Sequence, residues 1–279
     1  MGYPVQQECT SGVIQMIQGA VLGSPIDHSL SPVLHDAAYK YLNVEAHYEK
    51  FDVGAGALEG FLRSHSSYTG FSLTMPLKEE AISLATEVPE IDRRMSSINT
   101  LVARDGEWLG SSTDRSGIAR LLKRADTSRI AILGGGGTAR SALAAIENID
   151  DRLPVTVYLR DMTKASDLTD RSELSRLEVR LLSDLDFDTA SSIIQTTPAG
   201  AIDPYLEKVS GTPSGTLIEA LYQPWPTKIA TLFQSAGQLV LSGRDMLVEQ
   251  AIYQVELFSG RSVDHAEIRK VMNEALAGV

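Results

Sequence analysis

Arg129-Ile130-Ala131-Ile132-Leu133-Gly134-Gly135-Gly136-Gly137-Thr138-Ala139 decides how this chain is read, because an apolar, strand-like run gives way to four glycines and then to a helical stretch over 138–149. In the frame Gly134-x-Gly136-Gly137-x-Ala139, glycine lets the backbone approach a pyrophosphate whose charge the following helix N-terminus stabilises. Taken alone the motif also fits a tight turn without a ligand; the strand before it and the helix after it favour a dinucleotide. Strand-like runs at 155–159, 192–195, 216–219 and 238–241, separated by helical segments, predict a parallel sheet with helices on both faces. The strand after the turn ends at Arg160, and Lys164 lies one helical turn further on. A free ribose would be met there by an acid and a 2′-phosphate by cations, so NADP is favoured over NAD. Asp161 between the two cations opposes this unless its carboxylate points away.

Outward from the turn, the pattern differs. Residues 17–22 read as a short strand ending in Gly23-Ser24-Pro25. A helix is expected from Ser31 as N-cap and Pro32 as first helical residue, with Leu34, Ala37, Ala38, Tyr41 and Leu42 at helical spacing. A strand at 48–53, a helix at 58–64 and a strand at 70–73 follow. The next helix is expected to begin near Pro76 and reach about Leu84. Residues 98–103 and 107–110 form a hairpin around Asp105-Gly106, a dipeptide suited to positive φ. A helix is expected at 118–122, and amphipathic helices at 246–258 and 266–276 end the chain. The expected fold class is α/β in two domains: an N-terminal α/β substrate domain over 1–113, with helices of 244–279 packing back onto it, and a Rossmann-like doubly wound nucleotide domain over 114–243.

Composition limits the partners. With 25 Lys and Arg against 36 Asp and Glu, the net charge of -11 argues against a general nucleic-acid or anionic-membrane surface. The single Cys9 forms no internal disulfide, and the five histidines show no metal-site spacing with it. No apolar run approaches the ~20 residues of a membrane helix. Residues 1–11 lack the basic start and apolar run of a signal peptide, and about the first ten are expected to form a loose tail. The expectation is a reduced, metal-free, cytoplasmic enzyme, monomer or homodimer, acting on a small molecule.

Several short motifs occur in one order: Gly23-Ser24-Pro25-Ile26-Asp27-His28-Ser29-Leu30-Ser31-Pro32, Thr74-Met75-Pro76-Leu77-Lys78, Asn99-Thr100, Thr113-Asp114, the glycine turn, Gln195-Thr196-Thr197-Pro198, Tyr222-Gln223-Pro224 and Gly243-Arg244-Asp245-Met246-Leu247-Val248-Glu249-Gln250. In this order and context the chain resembles the shikimate dehydrogenases over residues 21–260. The resemblance implies NADP-dependent interconversion of 3-dehydroshikimate and shikimate, an anionic cyclic substrate. It implies Lys78 as proton donor or acceptor and Asp114 as the carboxylate that pairs with it and with the substrate hydroxyl. Ser29 and Ser31 are implied as hydroxyl donors to the substrate carboxylate, a role suited to the head of a helix; Ser31 could instead merely cap that helix. Thr74, Asn99, Gln250 and Tyr222 are implied around the ring hydroxyls. Gly134, Gly136, Gly137, Thr138, Ala139, Arg160, Lys164, Thr196 and Gly243 are implied around the cofactor.

Lys78 is expected in the first turn of the Pro76 helix, where the dipole disfavours a cation and a closed cleft would lower its pKa toward proton transfer. Ser112, Ser72, Gln195 and Glu219 depart from the family pattern, which has asparagine at the first three positions and aspartate at the last. Loss of an amide at Ser112 is expected to remove one hydrogen bond beside the substrate, about 0.5–1.5 kcal/mol. That would shift substrate preference without abolishing activity. Two other readings stay open: a paralogue acting on quinate or an aminated relative, and a non-catalytic nucleotide or ligand sensor.

Overall fold

The computed structural model describes residues 16–279. The tail expected over the first ten residues, and Cys9 with it, lies outside the described residues. The chain runs β1 (Ile17–Gly23), α1 (Ser31–Tyr41), β2 (Ala46–Asp52), α2 (Leu58–Ser64), β3 (Gly70–Leu73), α3 (Glu90–Arg94), β4 (Thr100–Arg104), β5 (Glu107–Ser111) and α4 (Thr113–Leu122). It continues through β6 (Ile130–Leu133), α5 (Gly137–Ile149), β7 (Val155–Leu159), α6 (Ala165–Arg171), β8 (Leu177–Leu181), β9 (Ser192–Gln195), α7 (Asp203–Leu206), β10 (Thr216–Glu219), α8 (Lys228–Ser235), β11 (Leu239–Leu241), α9 (Gly243–Ser259) and α10 (His265–Leu276).

The first sheet has the order β2-β1-β3-β4-β5. Its first three strands are parallel, and β4 and β5 close it as an antiparallel hairpin. Asp105 and Gly106 take φ of 52° and 83°, the positive pair that a two-residue hairpin loop requires. The second sheet is parallel throughout in the order β11-β10-β9-β6-β7-β8. All four residues of β6, of β9 and of β10 are buried, as strands covered on both faces must be. From β6 the chain winds outward through β7 and β8, then returns to place β9 on the other side. Such a reversal opens a crevice at the carboxyl ends of the central strands, and the glycine turn sits there.

Helix α9 joins the two halves. It leaves β11, packs along α4 and lies against α1, β1 and β4. At Gly117 of α4 a Cβ would stand 3.0 Å from the Gln250 backbone nitrogen, so the two helices touch almost backbone to backbone. Val248, Ala251, Ile252, Val255 and Phe258 join the core formed by α1, β1, β2 and α10. The amphipathic pattern expected here is not found, since Arg244 is the one exposed residue of α9. A helix with protein on nearly every side has no solvent face to keep polar, and its Glu249, Gln250 and Gln254 are buried instead. Glu249 is compensated by Arg269 of α10 at 2.5 and 2.8 Å.

The helix expected from Pro76 does not form. Turns over 75–79 lead into one 3-10 turn, Glu80–Ser83. The reason is local competition for a carbonyl. In an α-helix the Lys78 carbonyl would accept from Ile82, but the Ile98 N–H takes it at 3.1 Å and Ile82 bonds Glu79 instead.

Candidate active site

A cavity of about 280 Å³ opens between the two sheets, at the small end of the ~300–1,000 Å³ typical of ligand sites. Its walls come from the β1–α1 loop, the 72–78 segment, Asn99, Asp114, Thr138 at the start of α5, the Ala220–Tyr222 stretch and α9. Lys78 is the one lysine or arginine among the described residues lining it.

The centre of the site is an ion pair between residues distant in the chain. Lys78 Nζ lies 2.5 Å from Asp114 Oδ2, with both side chains largely covered. Asp114 Oδ1 accepts from Asn99 Nδ2 at 3.0 Å, so both carboxylate oxygens are held. A second Lys78 contact reaches Thr138 Oγ1 at 3.4 Å, and a Cβ on Gly137 would stand 3.4 Å from the Lys78 side chain. The glycine turn and the lysine therefore meet across the cleft. An ammonium has three protons, so one remains for a group inside the cavity. The helix-dipole argument for Lys78 has no helix to rest on; its setting is the Asp114 carboxylate and the cleft.

Ser29 and Ser31 both line the cavity. Ser31 is the first residue of α1 rather than its cap: Leu30 holds the cap position, and the Ser29 hydroxyl accepts from the Ser31 N–H at 3.4 Å. Neither hydroxyl proton is consumed by those bonds. Thr74, Tyr222 and Gln250 are also on the wall. Burial raises the Tyr222 phenol above its ordinary range. Asn99 is almost fully engaged: its amide donates to Asp114 and to Gln250 Oε1, while its Oδ1 accepts from the Thr113 N–H at 2.7 Å. A ring hydroxyl that binds Asn99 must exchange with one of these internal bonds.

Of the residues expected around a cofactor, Thr138 and Gly243 line the cavity itself, while Gly134, Gly136, Gly137, Ala139, Arg160, Lys164 and Thr196 do not. They occupy the carboxyl end of the second sheet. Gly134 has φ of 109°, and a Cβ there would lie 2.8 Å from Thr196 Oγ1. Gly136 has open space where its Cβ would stand. Arg160 and Lys164 are exposed beyond β7. Asp161 turns its carboxylate onto the Thr163 N–H at 2.9 Å and the Thr163 hydroxyl, which hold it below the usual carboxylate range. It thus caps a local turn.

Ser112 does not reach the substrate side, contrary to expectation. Its hydroxyl caps α4 through the Arg115 N–H and lies 3.1 Å from Ser141, and its N–H bonds Asp92. Asparagine at an N-cap is likewise a capping residue, so the change preserves the cap and leaves the cavity wall unaltered. Gln195 accepts from the Thr197 N–H and donates to its hydroxyl, bracing the turn after β9. Glu219 is buried at the end of β10, where burial pushes its carboxyl up to about 7 against donors from Thr227 and Leu221. The wall also includes His28 and Gln254, which the sequence reading does not single out. Gln254 had a signal, since it falls four residues after Gln250 and so on the same helix face.

Comparison with known proteins follows the same outline. Residues 21–101 match the family description "Shikimate dehydrogenase substrate binding domain", and residues 243–276 match "Shikimate 5'-dehydrogenase C-terminal domain". The shikimate dehydrogenase (NADP(+)) of Bacillus cereus strain AH820 is 30% identical over 275 residues, covering 92% of this chain and 98% of the relative. Mycobacterium tuberculosis shikimate dehydrogenase superposes with a TM-score of 0.83 at 34% identity, covering 94% of this chain and 99% of that one. The shikimate 5-dehydrogenase of Thermus thermophilus, solved in complex with NADP(H) and shikimate, superposes at 0.80 with 28% identity, covering 93% and 100%.

Proposed function

The chain belongs to the shikimate dehydrogenase family, and on that premise we propose that it interconverts 3-dehydroshikimate and shikimate with NADP as redox partner. One observation carries the reading: the Lys78–Asp114 pair stands on the wall of a cavity shared with Ser29 and Ser31 and touched by Thr138 of the glycine turn.

The residues present fit the cofactor. The open side of Gly136 leaves room for a pyrophosphate, and a helix start offers N–H groups without intrahelical partners. With Asp161 folded onto Thr163, the cations Arg160 and Lys164 suit a 2′-phosphate. Gly134, Gly137, Thr138, Ala139, Thr196 and Gly243 complete the cradle. When bound, the nicotinamide supplies or accepts the hydride.

The chain's own groups do the rest. Ser29 and Ser31 donate to the substrate carboxylate and fix one end of the ring. Thr74, Asn99, Gln250 and Tyr222 hold the ring hydroxyls, which orients the reacting carbon. During reduction the Lys78 ammonium gives a proton to the oxygen at C3; during oxidation the amine takes it back. Asp114 holds Lys78 in place and accepts from the substrate hydroxyl. The residues up to 113, with 244–279, serve the substrate, and 114–243 serve the cofactor while lending Asp114 and Tyr222 to the substrate side. The single cysteine supports the cytoplasm as the working compartment.

Steady-state rates with shikimate and quinate, each with NADP and NAD, test the assignment. The expected outcome is the highest kcat/KM for shikimate with NADP. Tight NADP binding without turnover of either shikimate or quinate would make the protein a sensor instead.

A further inference from the structure

Behind the cavity lies a buried polar chain whose members can be oriented one by one. Gln254 Nε2 is the amide end that meets the Asn99 carbonyl oxygen at 3.2 Å, because that oxygen can only accept. The same nitrogen donates to Thr100 Oγ1 at 3.0 Å. Gln254 Oε1 must then accept from its other neighbours, Ser72 Oγ at 2.8 Å and His35 Nε2 at 3.3 Å. Since Ser72 gives its proton to Gln254, it receives one from Tyr48, whose hydroxyl is 2.5 Å away.

His35 then carries its proton on Nε2, and its bare Nδ1 accepts from the Tyr39 hydroxyl at 3.0 Å. The imidazole is completely buried and stacks on Tyr48 with centroids 3.9 Å apart. Burial holds it down to about 3, so it stays neutral and keeps this tautomer. Downstream, Thr100 accepts from Gln254 and donates to Asn99 Oδ1 at 3.1 Å, while the Thr113 hydroxyl, 3.3 Å from Thr100, has Asn99 Oδ1 and Gln250 Oε1 as its own acceptors. The Thr113 N–H also donates to Asn99 Oδ1, leaving the Asn99 amide protons for Asp114 and Gln250.

We propose that Gln254 is a positioning residue for the catalytic pair, the joint of a one-way chain of hydrogen bonds that starts at the buried Tyr39, His35 and Tyr48 and ends on the Asp114 carboxylate. Gln254 grips Asn99 twice, at its backbone carbonyl and through the Thr100 hydroxyl. It touches neither Lys78 nor Asp114 in doing so. The proposal deepens the dehydrogenase reading and rests on it for the role of Asp114.

The test compares wild type with Gln254→Met, which keeps the length of the side chain and removes its polar end. In ligand-free protein, NMR of the Asn99 side-chain amide needs no substrate: wild type should give one NH2 pair protected from solvent exchange, and the variant a shifted, faster-exchanging pair. With shikimate and NADP, kcat should fall about tenfold, the effect of one neutral hydrogen bond, with both KM values within about threefold. In an Asn99→Ala background the same substitution should change kcat less than about twofold, because it acts through Asn99. Unchanged Asn99 resonances, or an equal loss of kcat in both backgrounds, would overturn the proposal. If wild type fails to turn over shikimate, the functional reading falls and the resonances alone decide this one. If Gln254→Met does not fold, Thr100→Val breaks the same chain and is expected to give the same two results.

Discussion

The direction of one carboxylate decides the meaning of its neighbours. Asp161 stands between two cations in the sequence, and its carboxylate turns onto the Thr163 N–H and hydroxyl while keeping its charge beside them. Arg160 and Lys164 stay exposed beyond β7. Replacing both by glutamine should raise the KM for NADP roughly 10–100-fold, as for loss of charge-assisted hydrogen bonds, and leave the KM for NAD nearly unchanged. Equal losses with both nucleotides, measured by steady-state kinetics, would assign the pair no part in selecting the phosphate. At this scale Lys78, Asp114, Ser29 and Ser31 were legible because each sits in a short motif. His35 was not, because its meaning comes from Gln254, a residue 219 positions away. Ser112 was misread for a related reason: residue type showed a lost amide, but only geometry shows that the position is a cap.

Short strand-like runs such as β3, β7, β9 and β10 match the structure residue for residue. The edge strand β8, Leu177-Glu178-Val179-Arg180-Leu181, is hard to read from sequence although it alternates, since only one face is partly covered and its apolar signal is weak. The segment after Pro76 went wrong because a distant strand-side N–H, that of Ile98, outcompetes the helix for the Lys78 carbonyl. That capture presents Lys78 to the cleft. Helix α9 starts with Ser242 and Asp245 capping one another, a signature readable in the sequence. Gly243 at its start has a separate reason: a Cβ would collide with the Leu221 carbonyl group and fall 2.5 Å from the Tyr222 nitrogen. Gly243→Ala is expected to cost about 1–3 kcal/mol by overpacking and to lower Tm in thermal unfolding. Because the strain falls on the Tyr222 loop, the KM for shikimate should rise as well. A variant with wild-type Tm and KM would show that the loop yields without consequence.

For the molecule as a whole, two buried groups oppose each other in pH. His35 is neutral in the fold down to about 3, whereas the unfolded chain binds its proton below about 6.5. Stability is therefore lost as pH falls through that window, by about 2 kcal/mol at pH 5. Glu219 behaves in the opposite sense, protonated in the fold up to about 7 but only to about 4.5 when unfolded. Its contribution is full at low pH and is lost as pH rises through 7. Between 4.5 and 6.5 the two slopes offset each other. Glu219→Gln should uncover the His35 slope, so that its stability relative to wild type climbs by about 1 kcal/mol per pH unit from 5 to 6.5 in urea unfolding. Parallel pH profiles for the two proteins would contradict the assignment of Glu219.

Lys78 is held to move the proton on the C3 oxygen while hydride moves at C3 itself. Steady-state oxidation of shikimate with NADP, wild type beside Lys78→Ala, tests it most directly. The account predicts a fall in kcat on the order of 10²–10⁴-fold with KM for shikimate changed only a few-fold, as for a group that acts in proton transfer. A variant that keeps wild-type kcat and loses only affinity would contradict it.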